Sequence, residues 1–454
     1  MNIETAQELL DESAQRLGVL GAQLAVFDGS QVIEVATGTA RLDTSTPTST
    51  DTRFQIGSTT KVFTAALVMT LVDEGGLDLD EPVSTYLPDF RTPDADATAA
   101  ITLRHLLSMG AGLDNGPYSD HGRDDACVAR YLDAIADLPV LFEPGTAFGY
   151  SNAATTVAGR CAEVVADGAW DELLRECVLD PAGLDATRSR LEDLILSPVA
   201  LGCHPDEGGD LQPVPVWGLP PALKPAGSTL CGTAGDLVRF ARLFLDEGRS
   251  AAGDQVLSTQ AVKTMQSPQV ELPATFIADA WGVGPMVKEW TGGRVHGHSG
   301  TNSGGSSWVV WAPEQGVAAA TIVNVPPRGY PLADAIFAEL FPTFGLTPPD
   351  RPQPDPGIAV DVQRYVGTYA AHDVRYEVRP ASKGDTALEI EMVYDRAGKP
   401  PVESPLAPIG PDRFVPTEPA ASGGRGWDVA FWGDDGNARA THYLNGVFAS
   451  ARAR

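Results

Sequence analysis

The sequence predicts an α+β domain built on an antiparallel sheet, followed by a small all-β domain. The chain opens with one helical and two strand-like patterns, and residues 100–250 alternate helices with Gly- and Pro-rich loops. Strand patterns then return at residues 307–311 and 317–323. Strands supplied from both ends of such a segment make an antiparallel sheet covered by helices. Beyond residue 357 the chain consists of short alternating runs, which are typical of a barrel or sandwich.

The first elements follow from hydrophobic periodicity. Residues 3–17 carry apolar side chains at mostly helical spacing with acids between them, which predicts an amphipathic helix. Strand-like runs at residues 23–27 and 31–37 flank Asp28-Gly29, a pair typical of hairpin turns. A helix followed by a two-stranded hairpin is therefore expected at the start of the domain.

Residues 58–72 predict a buried helix. Nearly every side of this stretch is apolar, and a helix that is apolar all round lies in a protein interior. The residues Asp73-Glu74-Gly75-Gly76 that follow are typical of a helix end.

A boundary is predicted after residue 345. Residues 346–357 read LTPPDRPQPDPG, a composition that favours a semi-rigid extended linker. The tail beyond it holds seven or eight short strand patterns separated by Gly, Pro and Asp. We therefore predict a large domain over residues 1–345, the linker over residues 346–357 and a β-domain over residues 358–454.

Composition excludes several classes of function. The net charge is −28, which argues against binding nucleic acid or an anionic membrane surface because both need clustered Lys and Arg. No run approaches 18 consecutive apolar residues, so no membrane-spanning helix is predicted. The chain starts without a basic region and an apolar core of the kind that marks a secretory signal, and a cytoplasmic location is expected.

The cysteines indicate thiols rather than a disulfide framework. Five are present, an odd number, and they show no C-x-x-C spacing. Reduced thiols in a cytoplasmic protein are the simpler interpretation, and a zinc site is not predicted. We predict no metal ion and no cofactor.

The first candidate motif is Ser58-Thr59-Thr60-Lys61. On a helix, residues three apart share a face, which places the amine of Lys61 beside the hydroxyl of Ser58. The chain has six lysines, and this one opens its most apolar helix. Desolvation favours the neutral amine, which can take the serine proton, and helix N-terminal amides can stabilise an oxyanion. The alternative is a serine cap followed by a surface lysine.

The second motif is Tyr150-Ser151-Asn152, between a turn and a helical run. A tyrosine near a cationic group can transfer protons, and an asparagine two residues later can orient the lysine or bind a substrate carbonyl. The alternative is a packed tyrosine and a capping asparagine.

The third motif is His298-Ser299-Gly300, which we expect on or beside an edge strand. Its glycine permits close approach of a substrate to the backbone, and its histidine can shuttle a proton or donate a hydrogen bond. The alternative is a structural histidine.

Together these residues resemble the serine β-lactamase and penicillin-binding-protein superfamily, most closely its class C β-lactamase and D-Ala-D-Ala carboxypeptidase branch. That branch uses S-x-x-K, Y-x-N and K/H-x-G in this order, and the flanking residues 101–113, 142–152 and 226–240 are similar as well. The resemblance covers residues 5–345 and implies a β-lactamase-like antiparallel sheet flanked by helices, with an all-helical subdomain. The tail is similar to the lipocalin-like β-domain of some members.

The resemblance also implies roles. Ser58 would be the acylated nucleophile, activated by Lys61, while Tyr150 would act as general acid and base. Asn152 would position Lys61 and the acyl amide, and His298 would line the opposite strand.

The same resemblance implies an oxyanion hole. Its donors would be the backbone N–H groups of Ser58 and Thr301, the latter directly after Gly300 in the third motif.

One departure from the family pattern bears on the substrate. β-Lactamases place a lysine in the third motif, where it binds the carboxylate of the β-lactam, but this chain has His298, which is mostly neutral at pH 7. Members with this histidine, a lipocalin-like tail and no signal are intracellular esterases, amide-forming transacylases and the penicillin-binding-protein-type thioesterases of nonribosomal peptide synthesis.

The resulting hypothesis is a serine acyl-transfer enzyme. An ester, thioester or amide of a peptide-like small molecule, free or presented by a carrier protein, would acylate Ser58, and water or an amine would accept the acyl group. The alternatives are an esterase, a D-amino-acid peptidase or weak β-lactamase, and a non-catalytic scaffold. Neither the acyl donor, the acceptor nor the oligomeric state follows from the sequence.

Overall fold

A computed structural model describes residues 1–273, 276–381, 387–394, 400–417 and 427–453. Within these ranges no helix combines the length and apolar character needed to cross a membrane.

The strands of the first part of the chain frame its helices. In chain order they are β1 (Gly21–Phe27), β2 (Val32–Arg41), β3 (Thr46–Pro47), β4 (Phe54–Gln55), β5 (Cys203–Pro205), β6 (Leu211–Pro213), β7 (Cys231–Gly232), β8 (Val270–Glu271), β9 (Ala280–Trp281), β10 (Met286–Trp290), β11 (Gly293–Thr301), β12 (Ser306–Ala312) and β13 (Val317–Val323).

One large antiparallel sheet organises this part. Across the described residues its strand order is β3-β2-β1-β13-β12-β11-β10-β9-β8, so the first strands of the chain pair directly with the last ones. Ala22 lies opposite Val323 in the β1–β13 pair, which joins segments about 300 residues apart. The antiparallel sheet built from both ends of the domain is therefore confirmed, as is the hairpin of β1 and β2.

The helices lie between and around these strands. In chain order they are α1 (Ile3–Leu17), α2 (Thr60–Asp73), α3 (Val83–Tyr86), α4 (Ala95–Ala100), α5 (Leu103–Leu107), α6 (Cys127–Ala134), α7 (Asn152–Ala166), α8 (Trp170–Leu174), α9 (Asp180–Ala182), α10 (Leu191–Leu194), α11 (Ala234–Leu245), α12 (Thr259–Gln266) and α13 (Gly329–Leu340). Short 3₁₀ turns occur at Gly57–Thr59, Pro221–Ala226, Pro326–Arg328 and Phe341–Phe344, and a π turn at Arg175–Leu179.

Two apolar cores sandwich the sheet. On one face, α1 and α13 bury Leu10 and Ile336 against strand residues such as Leu24. On the other face, α11 and α2 meet in a stack of Phe240 on Phe63, with ring centroids 3.8 Å apart. The two faces use alternate residues of the same strands, as a sheet covered on both sides requires.

The predicted buried helix is α2, and Thr60 to Leu71 are buried along its length. Its start differs from the prediction, because residues 57–59 form a 3₁₀ turn and the α-helix begins at Thr60. Ser58 thus lies in the turn that leads into the helix.

The C-terminal part is a closed barrel. It comprises a short helix and eight described strands: α14 (Val362–Tyr365), β14 (Gly367–Ala371), β15 (Val374–Pro380), β16 (Leu388–Tyr394), β17 (Val402–Gly410), β18 (Arg413–Pro416), β19 (Val429–Trp432), β20 (His442–Asn445) and β21 (Phe448–Arg452). Neighbours in sequence are neighbours in the barrel, and β14 pairs with β21 to close it. An interior of aromatic rings, among them Tyr369, Phe431 and Tyr443, fills the barrel.

The linker runs between the sheet domain and the barrel and contacts both. Arg351 pairs with Asp334 of α13 at 2.7 Å, while the Asp355 amide donates to the Pro408 carbonyl of β17 at 2.8 Å. The exact division at residues 345 and 358 stays a prediction.

The barrel packs against the sheet domain through a mixed apolar cluster. Phe142 and Trp281 from the sheet domain meet Leu444 and Ala449 from the barrel. Beside this cluster, the His372 amide of the barrel donates to the carboxylate of Asp114 at 2.7 Å. The barrel therefore lies directly over the loops that lead to Tyr150.

Candidate active site

Ser58 lies in a turn that is pressed against the sheet. Gly57 adopts a left-handed backbone with φ +56°, and a Cβ built there would lie 2.6 Å from the Thr301 amide nitrogen. Likewise, a Cβ on Gly300 would lie 2.6 Å from the Ser58 amide nitrogen. The backbones of the two segments are thus in contact, and the amides of Ser58 and Thr301 lie side by side.

The strand beneath this turn is β11, an inner strand of the sheet, where the sequence analysis expected an edge. Its pairing with β10 ends at Gly297, although its pairing with β12 continues to Thr301. His298 and the residues after it therefore form a locally unpaired edge, and the Ser58 turn occupies the space beside it.

Lys61 lies one turn beyond Ser58 and is 1% exposed. Its Nζ lies 3.2 Å from Ser58 Oγ, 2.6 Å from Asn152 Oδ1 and 2.6 Å from the Ala226 carbonyl oxygen. Burial lowers the pKa of the Lys61 amine well below its ordinary value.

These distances distinguish the three contacts of Lys61. A neutral amine has two hydrogens and one lone pair. The two short contacts are with oxygens that can only accept, so both hydrogens are used by Asn152 and Ala226. In the neutral form of the amine, the lone pair is then left for the Ser58 hydroxyl, which can donate its proton across the longer contact.

Tyr150 is buried beside this pair. Lys61 Nζ lies 4.8 Å from the centroid of the Tyr150 ring. Burial raises the pKa of the Tyr150 phenol well above its ordinary value, while a hydrogen bond with Ser58 opposes that rise. The phenol is accordingly neutral at physiological pH and close to the Ser58 hydroxyl.

Asn152 is held at the first position of α7. Ser151 caps this helix by accepting from the Ala154 amide, so the cap is the serine and the asparagine side chain is free for the site. The backbone N–H of Asn152 donates to Asn115 Oδ1 at 3.0 Å. Its side chain bridges Lys61 and Tyr118, whose hydroxyl accepts from Asn152 Nδ2 at 2.7 Å.

His298 is 1% exposed and lies beside Tyr150. Its ring centroid is 6.2 Å from that of Tyr150 and 5.4 Å from that of Trp281. Burial, with a smaller contribution from Lys61, lowers the pKa of His298 to about 3, so the ring is neutral.

The tautomer of His298 follows from its own neighbour. Nδ1 lies 2.6 Å from the Ser299 carbonyl oxygen, which can only accept, so Nδ1 carries the hydrogen. Within the described residues Nε2 has no hydrogen-bond partner. His298 therefore presents a buried acceptor, where the sequence analysis considered a proton shuttle or a donor.

The structure thus brings Ser58, Lys61, Tyr150, Asn152 and His298 into one cluster, from three separate parts of the sequence. Sequence reasoning missed other contributors. Tyr118 lies in a loop without regular pattern, Phe448 belongs to the barrel, and Trp281 lies outside the three motifs. A close Trp281–Tyr150 contact, with ring centroids 5.8 Å apart, makes that tryptophan a wall of the site.

An antiparallel sheet flanked by helices, with a serine in a turn packed on an inner strand, is the architecture of the β-lactamase-like serine hydrolases. The chain belongs to the beta-lactamase family, whose model matches residues 6–341. "Penicillin-binding protein 4" of Amycolatopsis lactamdurans is 35% identical over 377 residues, which are 80% of this chain and 96% of that protein.

Solved structures extend the similarity to the whole chain. The crystal structure of SurE has a TM-score of 0.82 at 28% identity and covers 99% of each chain. SurE was also solved with D-Leu, and that structure has a TM-score of 0.79 at the same identity. A D-stereospecific amidohydrolase from Streptomyces sp. has a TM-score of 0.60 at 25% identity, covering 75% of this chain and 99% of that one.

Proposed function

We propose that this protein is a serine acyl-transfer enzyme that forms an acyl-enzyme on Ser58. Its acyl donor is an ester, thioester or amide of a peptide-like small molecule, and the acyl group passes to water or to an amine. The observation that carries the proposal is the hydrogen-bond arrangement of Lys61, which leaves the lone pair of a desolvated amine for the Ser58 hydroxyl.

Lys61 and Tyr150 transfer the protons in the acylation step. The Ser58 hydroxyl gives its proton to Lys61 as Oγ bonds to the substrate carbonyl carbon, and the carbonyl electrons move onto its oxygen. The amides of Ser58 and Thr301, which lie side by side beside Gly300, stabilise that oxyanion. When the intermediate collapses, the leaving group departs with the proton of Tyr150, and the Lys61 ammonium returns a proton to the phenolate.

Deacylation uses the same groups in reverse. The acceptor, water or an amine, loses its proton to the Tyr150–Lys61 pair as it attacks the acyl carbon, and Ser58 Oγ leaves with a proton. Burial of Tyr150 and Lys61 limits competing access of bulk water, which favours an amine when one is bound.

The third motif bears on the substrate. A neutral His298 with an acceptor at Nε2 does not hold a carboxylate, because a carboxylate needs a donor or a positive charge. It suits a substrate N–H or O–H instead. We therefore expect β-lactams, which carry a carboxylate, to be poorer substrates than peptide-like esters, thioesters and amides.

The similar structures support a D-configured residue in the substrate. SurE was solved with D-Leu, and the Streptomyces protein is named as D-stereospecific. A D-amino-acid peptidase is accordingly our second candidate, because the same site can take its acyl group from an amide. Presentation by a carrier protein and a cytoplasmic location remain predictions from the sequence.

Intact-mass spectrometry tests the proposal directly. The protein is incubated with activated esters, acyl thioesters, D-amino-acid amides and a β-lactam, and the mass gained identifies the acyl class that reacts. We expect an adduct in the wild type that is absent from Ser58→Ala. An adduct that persists in Ser58→Ala, or no adduct from any of the four classes, would refute the proposal. Product analysis with and without an added amine then identifies the acceptor.

A further inference from the structure

One hydrogen-bond donor of the site, the side-chain Nδ2 of Asn152, is already bonded to another residue of the protein. Asn152 uses its main-chain amide on Asn115 and its side-chain oxygen on Lys61. Its Nδ2 is the group of this side chain that can serve a ligand, and Tyr118 Oη accepts from it at 2.7 Å. A phenol oxygen in this position accepts a hydrogen bond from an amide N–H, as a carbonyl oxygen would.

Tyr118 reaches this donor from the solvent side. The residue is 57% exposed, yet its hydroxyl is turned inward onto Asn152 and lies near the Asn115 side chain as well. If the ring rotates outward, the space that it leaves runs from solvent to Asn152 Nδ2. Asn152 itself is 5% exposed, so Tyr118 is part of what covers it.

The backbone just before Tyr118 is held in place. The Tyr131 hydroxyl donates to the Pro117 carbonyl at 3.2 Å. Gly116 has φ +81°, and a Cβ there would lie 2.6 Å from the Tyr131 hydroxyl and 3.0 Å from Ala153 Cβ. Displacement of Tyr118 is therefore a rotation of its side chain, which gives up the hydrogen bond of its hydroxyl with Asn152 and its interaction with the Asn115 side chain.

We propose that Tyr118 occupies the Asn152 donor in the free enzyme and is displaced by an amide carbonyl of the acyl donor, so that Tyr118 sets the selectivity between acyl donors with and without such an amide. The inference rests on the proposed function, in which Asn152 lies beside the acylated serine. It adds to that function a residue, Tyr118, that no sequence motif contains and that competes with the substrate for Asn152.

The test uses two esters that differ at one place. N-acetylglycine p-nitrophenyl ester and p-nitrophenyl pentanoate have acyl chains of equal length, and the first carries the amide. Tyr118→Phe removes the hydroxyl but keeps the ring, so it removes the competitor for Asn152 Nδ2. We expect KM for the acetylglycyl ester to fall about two- to tenfold, the worth of one hydrogen bond, while KM for the pentanoyl ester stays within twofold.

The matched control is Tyr86→Phe, which removes a tyrosine hydroxyl that accepts from the Asp78 amide, away from the site. It should leave both KM values unchanged. Tyr118→Ala, checked by thermal unfolding, should change the ratio of the two KM values in the same direction.

Three outcomes overturn the inference. These are an equal change in KM for both esters, no change for either, and a fall in kcat for both at constant KM, which would make Tyr118 a positioning residue for Lys61. Failure of the proposed function is a separate result, namely that the wild type forms no acyl-enzyme with either ester.

Discussion

The amide of Tyr150 donates to the carbonyl oxygen of Val447 at 3.0 Å, so the barrel holds the loop that carries the proposed general acid. The next residue of the barrel, Phe448, places its ring 5.6 Å from that of Tyr150 in an edge-on contact. The hairpin between β20 and β21 is therefore a part of the site and contributes both a hydrogen bond and an apolar wall.

Truncation of Phe448 tests this contribution. Phe448 is 41% exposed, yet its ring covers one edge of Tyr150. An aromatic pair is worth about 0.5–1.5 kcal/mol, so we expect Phe448→Ala to lower kcat/KM for an activated ester by roughly two- to tenfold. Ile3→Ala, an exposed truncation on α1, is the control and should leave the rate unchanged. Equal rates in both variants would show that the Phe448 ring does not contribute to the site.

Replacement of Lys61 tests the base. Without the lone pair of the Lys61 amine, the Ser58 hydroxyl has no acceptor for its proton. Lys61→Met should therefore lower the rate of acylation by about 10²- to 10⁴-fold. Stopped-flow release of p-nitrophenol measures that rate. Lys263→Ala removes an exposed lysine of α12 and serves as the control. A Lys61→Met rate within tenfold of the wild type would contradict the assignment.

The pH dependence of acylation follows from the lowered pKa of Lys61. The amine acts as a base only when it is deprotonated, so kcat/KM should fall as the pH drops through the Lys61 pKa, which burial holds well below its ordinary value. Asn152→Asp places a carboxylate against Nζ, which favours the ammonium and moves this acid limb to higher pH. Activity lost at pH 7 should return as the pH is raised, and an unshifted limb would be inconsistent with Lys61 as the base.

The Ser58–Lys61 pair could be predicted because the two residues are close together in the sequence. Ser58 and Lys61 are three residues apart in a run that is apolar all round, and one helical turn brings any such pair together. The roles of Tyr150, Asn152 and His298 came from motif order and resemblance, and the structure places them within one cluster. These roles stay predictions until the variants are measured.

Other features had no local signal. Tyr118 and Phe448 reach the site through packing between distant segments, and nothing in their own surroundings marks them. Strands β17 and β21 have weak sequence patterns, because Pro405, Pro408 and the small residues of 448–452 are poor strand formers. Closure of the barrel supplies them with partners on both sides, which overrides their weak preference.

Replacement of His298 should lower kcat/KM without moving the acid limb of the pH profile. Its pKa of about 3 keeps the ring neutral across the range in which the enzyme is assayed. We expect His298→Ala to lower kcat/KM by about tenfold, through loss of the acceptor at Nε2, while the acid limb of the profile keeps its position. A limb near pH 6.5 that disappears in the variant would instead identify His298 as a titrating group.

The position of the nucleophile should depend on the absence of a side chain at Gly227. It has φ +117°, and a Cβ built on it would overlap the Gly57 carbonyl and lie 3.0 Å from the Ser58 amide nitrogen. Gly316 also has a positive φ, +66°, but a Cβ there meets nothing within 4 Å. Both alanine variants carry the cost of a left-handed backbone, about 1–2 kcal/mol, and Gly227→Ala alone must also displace the Ser58 turn.

The comparison of these two variants separates backbone strain from displacement of the site. Thermal unfolding should show both variants destabilised, with Gly227→Ala the more affected. Acylation by an activated ester at a temperature where both are folded should fall at least tenfold in Gly227→Ala and stay near the wild-type rate in Gly316→Ala, because even a small misplacement of a nucleophile is costly. Equal acylation rates would mean that the turn tolerates the added methyl group and that its contact with Gly227 does not position Ser58.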